Sequence, residues 1–102
     1  MSKQTLIVAQ TAAVVTKQDF NADCYDDVTL LASGLAAAEK VQVFVETAGG
    51  WIVLLDDAGN IVELTATRYM RWFRGGLRYA VTKDATIAAA SVEVVMKQNG
   101  AT

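Results

Sequence analysis

The predicted fold depends on one stretch of sequence, residues 68–82: Arg68-Tyr69-Met70-Arg71-Trp72-Phe73-Arg74-Gly75-Gly76-Leu77-Arg78-Tyr79-Ala80-Val81-Thr82. Two runs rich in aromatic and apolar residues flank a pair of glycines, which is typical of two strands joined by a tight turn. A two-residue turn needs positive φ angles, which glycine adopts at little steric cost. The stretch therefore predicts an antiparallel hairpin that pairs Arg74 with Leu77 and Phe73 with Arg78.

Successive side chains of a strand point to opposite faces, so this hairpin has two different faces. The face predicted to be buried carries Met70, Trp72, Leu77, Tyr79 and Val81. The other face carries Tyr69, Arg71, Phe73, Arg78, Ala80 and Thr82. On that second face two guanidinium groups would lie beside two aromatic rings, within the reach of cross-strand neighbours.

Apolar residues recur at every second position through most of the chain. The clearest examples are residues 40–46 and 91–97, where buried-type and polar residues alternate as they do in half-buried strands. Further strands are expected at 28–33, 51–55 and 61–64, with glycine-containing turns between them. The pattern predicts a single all-β domain over residues 1–102, an antiparallel β-sandwich of jelly-roll or immunoglobulin-like topology with short helical turns at most.

The N-terminal part of the chain is expected to belong to the same sheet structure. Residues 5–17 predict one long strand or two short ones, and polar residues 18–27 predict a loop. Residues 1–17 are thus either a first strand or an arm that adds a strand to a neighbouring molecule. Two small-residue stretches, 35–40 and 85–90, are expected to be connections with at most one turn of helix.

Composition removes most classes of enzyme. The chain has no histidine and one cysteine, Cys24, so it cannot form a Ser-His-Asp or Cys-His arrangement or the usual tetrahedral zinc site. Aspartates around Cys24 disfavour a reactive thiolate. Asp56 and Asp57 are adjacent, and adjacent residues do not form a facing acid–base pair. We therefore expect no catalytic residue, cofactor or metal; no apolar run reaches the ~20 residues of a membrane span.

Positive charge is concentrated in the predicted hairpin. The formal net charge is −2, yet every arginine lies within residues 68–78, a window that contains no acidic residue. Arginine and aromatic side chains are enriched where proteins meet. The candidate interface residues are Arg68, Tyr69, Arg71, Phe73, Arg74 and Arg78. Two other interpretations stay open: a solvated face whose arginine stems cover the rings, and a nucleic-acid-binding module, which the overall acidity disfavours.

Negative charge is concentrated in the predicted loop at residues 18–27, which contains Asp19, Asp23, Asp26 and Asp27. The spacing does not match an EF-hand, which needs a central glycine and a glutamate at its twelfth position. A solvated loop is therefore favoured over a calcium site. If copies of the chain assemble, this acidic loop is also a candidate contact for the arginine face of another copy.

The order of strand and turn segments resembles a known class of protein. The segments are Val28-Thr-Leu-Leu-Ala-Ser-Gly-Leu35, Glu39-Lys-Val-Gln-Val-Phe-Val45, Gly50-Trp-Ile-Val-Leu-Leu-Asp56, Gly59-Asn-Ile-Val-Glu-Leu-Thr-Ala-Thr67 and Gly76-Leu-Arg-Tyr-Ala-Val-Thr-Lys83. Over roughly residues 28–97 the chain is similar to small all-β virion proteins of tailed bacteriophages. Those proteins often have Pro-Gly before the last segment, where this chain has Gly75-Gly76.

The resemblance implies a non-enzymatic structural role in a virus particle. Within this role, the resemblance favours a capsid decoration or cement protein on the head lattice. The alternative is a head-tail adaptor or fibre-attachment component. The implied partner is the major capsid protein or another virion protein, and a homo-oligomer is expected. No membrane partner is implied, and a nucleic-acid partner is disfavoured. The implied location is the virion, assembled in the host cytoplasm.

Overall fold

Nine β-strands build the part of the chain, residues 2–98, that the computed structural model describes. They are β1 (Ser2–Gln10), β2 (Val14–Asn21), β3 (Asp27–Ser33), β4 (Val41–Thr47), β5 (Gly50–Val53), β6 (Glu63–Leu64), β7 (Met70–Arg74), β8 (Arg78–Lys83) and β9 (Ala90–Lys97). All pairings between them are antiparallel. Within residues 2–98 no segment is helical, and hence none is a helix long and apolar enough to cross a membrane. The predicted all-β fold is confirmed.

The strands form two sheets with the hydrophobic core between them. Sheet A has the order β1-β9-β3-β7, and sheet B has the order β2-β8-β4-β5, with β6 also paired to β4. Buried residues of both sheets, such as Leu30 and Val94 in sheet A and Val43 and Val81 in sheet B, belong to one hydrophobic cluster. Six of the eight connections between described strands pass from one sheet to the other. The choice between a jelly-roll and an immunoglobulin-like topology stays a prediction.

The alternating pattern gives the correct buried faces in β4 and β9. Val41, Val43 and Val45 of β4 are buried, and so are Val92, Val94 and Met96 of β9. Both strands lie inside their sheets, with a neighbour on each side. A strand in that position has one face on the core and one on the solvent, so its side chains alternate cleanly.

Near the N-terminus the structure corrects one predicted boundary. Strand β1 pairs with β9 of the same chain, and β2 continues through residues 18–21, which the polar composition had predicted to be loop. Phe20 is the reason, because its buried ring packs in the core against Tyr79, with ring centroids 5.8 Å apart. Burial of one large aromatic side chain outweighs the weak strand propensity of its polar neighbours.

The predicted hairpin at Gly75-Gly76 is wrong. Strand β7 pairs with β3 in sheet A, whereas β8 pairs with β2 and β4 in sheet B. The chain crosses between the sheets beside the β2–β3 connection: the Gly75 amide donates to the Asp26 carbonyl at 2.8 Å, and the Gly76 amide donates to the Ala22 carbonyl at 2.7 Å. A Cβ on Gly75 would overlap the carbonyl of Tyr25. Gly75 is therefore required for close backbone approach, and Gly76 for its φ of +101°.

Because β7 and β8 lie in different sheets, the predicted buried face is also partly wrong. Tyr79 and Val81 of β8 are buried, as predicted. Met70, Trp72 and Leu77 are instead exposed. In β7 the opposite set of side chains, which includes Arg71 and Phe73, points towards sheet B.

Candidate functional site

The predicted interface residues lie in three different environments, because the chain crosses between the two sheets at Gly75-Gly76. Arg68, Tyr69 and Arg74 are exposed at strand β7 and just before it. Arg71 and Phe73 are half-buried and point between the sheets. Arg78 is exposed on the outer face of sheet B. The single face expected from a hairpin does not exist, since the two strands that were to share it belong to different sheets.

Strand β7 leaves two large apolar side chains uncovered on its outer face. Met70 is 58% exposed and Trp72 is 59% exposed. The register places Met70 beside Leu31 and Trp72 beside Thr29 of β3. The indole Nε1 of Trp72 donates a hydrogen bond to Oδ1 of Asp27 at 3.1 Å, so the ring is held in place although it is exposed. Met70, Trp72 and Arg74 are called the outer face of β7 below.

Arg71 joins sheet A to the segment that follows β5. Its Nη2 lies 3.9 Å from Oδ2 of Asp56, and its Nη1 donates to the carbonyl of Glu63 at 3.4 Å. The side chain is only 11% exposed. An arginine can point inward at a sheet edge when acceptors meet its guanidinium group there. This contact could not be predicted from a local pattern, since its partners lie in the connection after β5 and in β6.

A cleft of about 460 Å³ opens between β7 and residues 54–62. Leu54, Val62, Phe73 and Tyr79 supply apolar walls, and Arg71 crosses it. The rings of Phe73 and Tyr79 meet edge to face, with centroids 4.8 Å apart. The Tyr79 hydroxyl donates to the Arg74 carbonyl at 2.8 Å, and burial raises the pKa of Tyr79. The volume suits an apolar side chain or small ligand, and we name it the edge cleft.

The Asp56 carboxylate shapes the turn at one end of the edge cleft. Its Oδ1 accepts hydrogen bonds from the amides of Ala58 and Asn60, both at 2.9 Å. The hydrogen bond from Asn60 is the main cause that holds the pKa of Asp56 below its ordinary value of 3.8, and the charge of Arg71 acts in the same direction. A carboxylate held ionised by backbone donors stabilises a turn. The role of Asp56 in this geometry is to stabilise the turn.

Arg78 is already paired with acidic side chains of its own chain. It donates a hydrogen bond to Asp19 and lies 4.0 Å from Glu46. The hydrogen bond with Asp19 is the main cause that raises the pKa of Arg78. One acidic residue of the predicted loop thus meets one arginine within the same molecule. The pairing leaves less positive charge on sheet B for an outside partner.

A second cleft, of about 660 Å³, lies where the chain crosses between β7 and β8. Three carboxylates line it together with Arg74, Gly75 and Gly76: those of Asp23, Asp26 and Asp27. We name it the acidic cleft. Among the described residues 2–98, no group of three or more His, Cys, Asp or Glu side chains is arranged to hold a metal ion.

Sequence reasoning missed a group of exposed apolar residues at the outer edge of sheet B. Ile52 and Val53 belong to β5, and Leu55 and Ile61 form an isolated bridge just after it. All four are between 42% and 56% exposed. The continuous apolar run 51–55 reads as a buried strand, but β5 is the last strand of its sheet. The local sequence does not show that β5 lies at the edge of its sheet, and this position is what exposes its apolar side chains.

Comparison with known proteins gives a match of fold. No protein-family model matches the chain, and no curated protein matches it. The crystal structure of SPBc2 prophage-derived protein YomS is similar, with a TM-score of 0.71 and 14% sequence identity. The similarity covers 93% of this chain and 90% of that one. At this identity the likeness concerns the fold.

Proposed function

We propose that this chain is a non-enzymatic structural protein of a tailed-phage particle and, within that class, a capsid decoration protein. The observation that carries the proposal is the similarity of fold, over 93% of the chain, to a protein described as prophage-derived. The strand and turn segments of residues 28–97 support the same class from the sequence, since they resemble small virion proteins. The proposed location is the virion.

The site geometry supports a role in contact. Asp56 is occupied with backbone amides and Arg71, and Arg78 is occupied with Asp19 and Glu46. Large apolar side chains are exposed on the outer strands of both sheets, Trp72 in sheet A and Ile52 in sheet B. Exposed apolar surface of this kind marks sites where proteins bind one another.

The proposed partner is the major capsid protein or another virion protein. Of the candidate interface residues Arg68, Tyr69, Arg71, Phe73, Arg74 and Arg78, the proposed contacts are the three that are exposed at β7, namely Arg68, Tyr69 and Arg74. Arg68, Tyr69 and Arg74 are accessible together at β7, whereas Arg78 is paired within the chain. This division disfavours the nucleic-acid alternative, because electrostatic binding of a phosphate backbone requires a continuous positive surface.

The experiment that tests the proposal is quantitative mass spectrometry of gradient-purified particles from the phage or prophage that carries the gene. A copy number close to that of the major capsid protein is expected for a decoration protein. A far smaller copy number overturns decoration in favour of an adaptor or fibre-attachment role. Absence from the particles, with the protein abundant in the same lysate, overturns the whole proposal.

A second experiment tests the contact residues by adding the purified protein back to particles that lack it. Arg74→Glu is expected to lower occupancy roughly tenfold, because a reversed charge at a contact opposes the partner. Val15→Glu, at a residue of β2 that is 78% exposed, is the control, with a much smaller effect expected. Equal occupancy for both variants contradicts a contact at β7. Tight binding of either protein to DNA that weakens steeply with salt contradicts the choice of partner.

A further inference from the structure

One side of strand β7 has backbone groups that no strand of the described chain pairs. The Ala32 amide donates to the Tyr69 carbonyl at 2.8 Å, and the Gly75 amide donates to the Asp26 carbonyl at 2.8 Å. In an antiparallel ladder the residues of one strand alternate between pairing towards the neighbour and pointing away from it. Residues 69, 71, 73 and 75 therefore bond to the β3 side. Met70, Trp72 and Arg74 direct their amides and carbonyls to the free edge.

The same three residues form the outer face of β7, so the exposed apolar side chains of Met70 and Trp72 flank the free edge. Sheet edges of this kind are templates for strand addition unless they are covered or blunted. The carbonyl of Arg74 accepts a hydrogen bond from the Tyr79 hydroxyl and has a second lone pair available.

Charge at the two ends of β7 is unequal. Just before the strand, Arg68 is exposed, and among residues 2–98 no carboxylate lies within 4.0 Å of it. Just after the strand lies the acidic cleft, whose lining includes Asp23, Asp26, Asp27 and Arg74. A strand with a cation at its start and an acidic recess at its end is complementary to an antiparallel copy of itself.

We propose that β7 pairs antiparallel with β7 of a second copy of this chain, about a twofold axis at Trp72. In this register Trp72 faces its own copy, Met70 faces Arg74 of the second copy, and Arg71 faces Phe73 of the second copy. No two arginines lie directly opposite each other. The amides and carbonyls of residues 70, 72 and 74 meet their counterparts, and the two copies of sheet A become one continuous sheet.

Antiparallel pairing places the start of each β7 beside the end of the other, so Arg68 of one copy lies near the acidic cleft of the second copy, whose lining includes Arg74, Gly75 and Gly76. The twofold symmetry makes this contact twice. The outer strand β5 also exposes apolar residues, but it has no arginine and no comparable charge match.

The proposal is tested on the purified protein by sedimentation velocity over a range of concentrations, so it is independent of any particle. The wild type is expected to form a dimer. Met70→Lys places a cation opposite Arg74 of the second copy, and dimerisation should weaken roughly tenfold, since opposed like charges destabilise a strand pair on both sides of the axis. Val15→Lys, at a residue of β2 that is 78% exposed, is the control and should dimerise normally. A monomer at every concentration, or equal weakening by both variants, overturns the proposal.

Disulfide cross-linking tests the register. Directly opposed residues of a hydrogen-bonded antiparallel pair have Cα atoms about 5.5 Å apart, within the range that a disulfide spans. In a Cys24→Ser background, Trp72→Cys should give a covalent dimer under mild oxidation, whereas Val8→Cys, on the exposed surface of β1, should not. Cross-linking of both variants to the same extent, or of Val8→Cys alone, overturns the Trp72 axis.

Charge exchange tests the contact with the acidic cleft. Arg68→Asp should weaken the dimer, and adding Asp23→Arg to the same chain should recover part of the loss, because each copy then presents the reversed pair. If the double variant is weaker than Arg68→Asp alone, Arg68 does not meet this cleft and the proposed register is wrong.

Discussion

Strands β7 and β8 lie on either side of Gly75-Gly76, and their sequences alternate in the same way, yet their faces differ. In β8, Tyr79 and Val81 point to the core, as the pattern predicts. In β7, Trp72 points to solvent and Phe73 points inward. Within each strand the alternation is intact, and the error lies in which of the two sets faces the core.

The comparison shows that alternation along a strand only determines that neighbouring side chains face opposite ways. It does not determine which of the two sets of side chains faces the core. In a hairpin, β7 and β8 would be neighbours in one sheet, so the side chains that face the core in β8 would determine which side chains face it in β7. Here the chain crosses between sheets at Gly75, so β7 takes its orientation from its pairing with β3. Arg71 is accepted on the inner side because Asp56 and the Glu63 carbonyl meet its guanidinium group.

The largest effect is expected from truncating the aromatic residues of the two strands. Tyr79→Ala should lower the free energy of unfolding by about 3–5 kcal/mol, since it removes a buried ring. Trp72→Ala should cost about 1 kcal/mol or less, because the ring is exposed and loses mainly one hydrogen bond. Urea denaturation at low protein concentration measures both. Similar costs would restore the hairpin interpretation, in which both rings are buried.

The next largest effect should come from the crossover itself. Gly75→Ala should destabilise the fold by about 2–3 kcal/mol, because its Cβ would overlap the Tyr25 carbonyl and the backbone would have to move. Gly76→Ala meets open space and should cost only about 1 kcal/mol, from its positive φ. The two variants are compared by thermal and urea unfolding. In a tight hairpin both glycines would matter equally, so equal losses contradict the crossover.

The inward orientation of β8 also buries a lysine, and its replacement should have an intermediate effect. Lys83 is 3% exposed, and its Nζ donates to the carbonyls of Ala12 at 2.6 Å and Asp84 at 3.0 Å. Lys83→Met leaves these carbonyls without their donor and should cost about 1–3 kcal/mol. Lys97→Met, at an exposed lysine of β9, is the control and should change little. An equal, small loss in both variants means that solvent reaches the Lys83 site.

The smallest effect concerns the acid stability of the turn that meets Arg71. Since the folded state holds the pKa of Asp56 below 3.8, the ionised carboxylate stabilises the fold above this value, and the contribution is lost as pH falls through the lowered pKa. Asp56→Asn keeps an acceptor in place and removes the titration. Unfolding free energies measured at a series of pH values should fall less steeply below pH 3.8 in this variant. If the unfolding free energy of the variant falls as steeply below pH 3.8 as that of the wild type, Asp56 titrates alike in the folded and unfolded chain and the prediction is wrong.

The sequence could indicate which segment concentrates arginine and aromatic residues, but it could not indicate how these residues are arranged, and their interface role stays a prediction. The pattern in residues 68–78 predicted a strand there, yet it placed Trp72 on the buried face, whereas the structure exposes Trp72. The edge cleft could not be predicted, because its other wall comes from residues 54–62, the connection between β5 and β6. The prediction ended the second strand too early, because polar residues 18–21 resemble a loop. In the structure the buried ring of Phe20 holds this polar segment in the sheet.

The amino-acid sequence by itself determined that the chain is an all-β protein with valine-rich inner strands such as β4 and β9. Alternation and turn residues are local properties, and they act on each strand wherever it lies. Only the tertiary structure decided that β7 and β8 belong to different sheets, that Arg71 points inward and that Trp72 is exposed. These outcomes depend on hydrogen bonds between segments far apart in the chain, such as that from Gly75 to Asp26, which no local pattern contains.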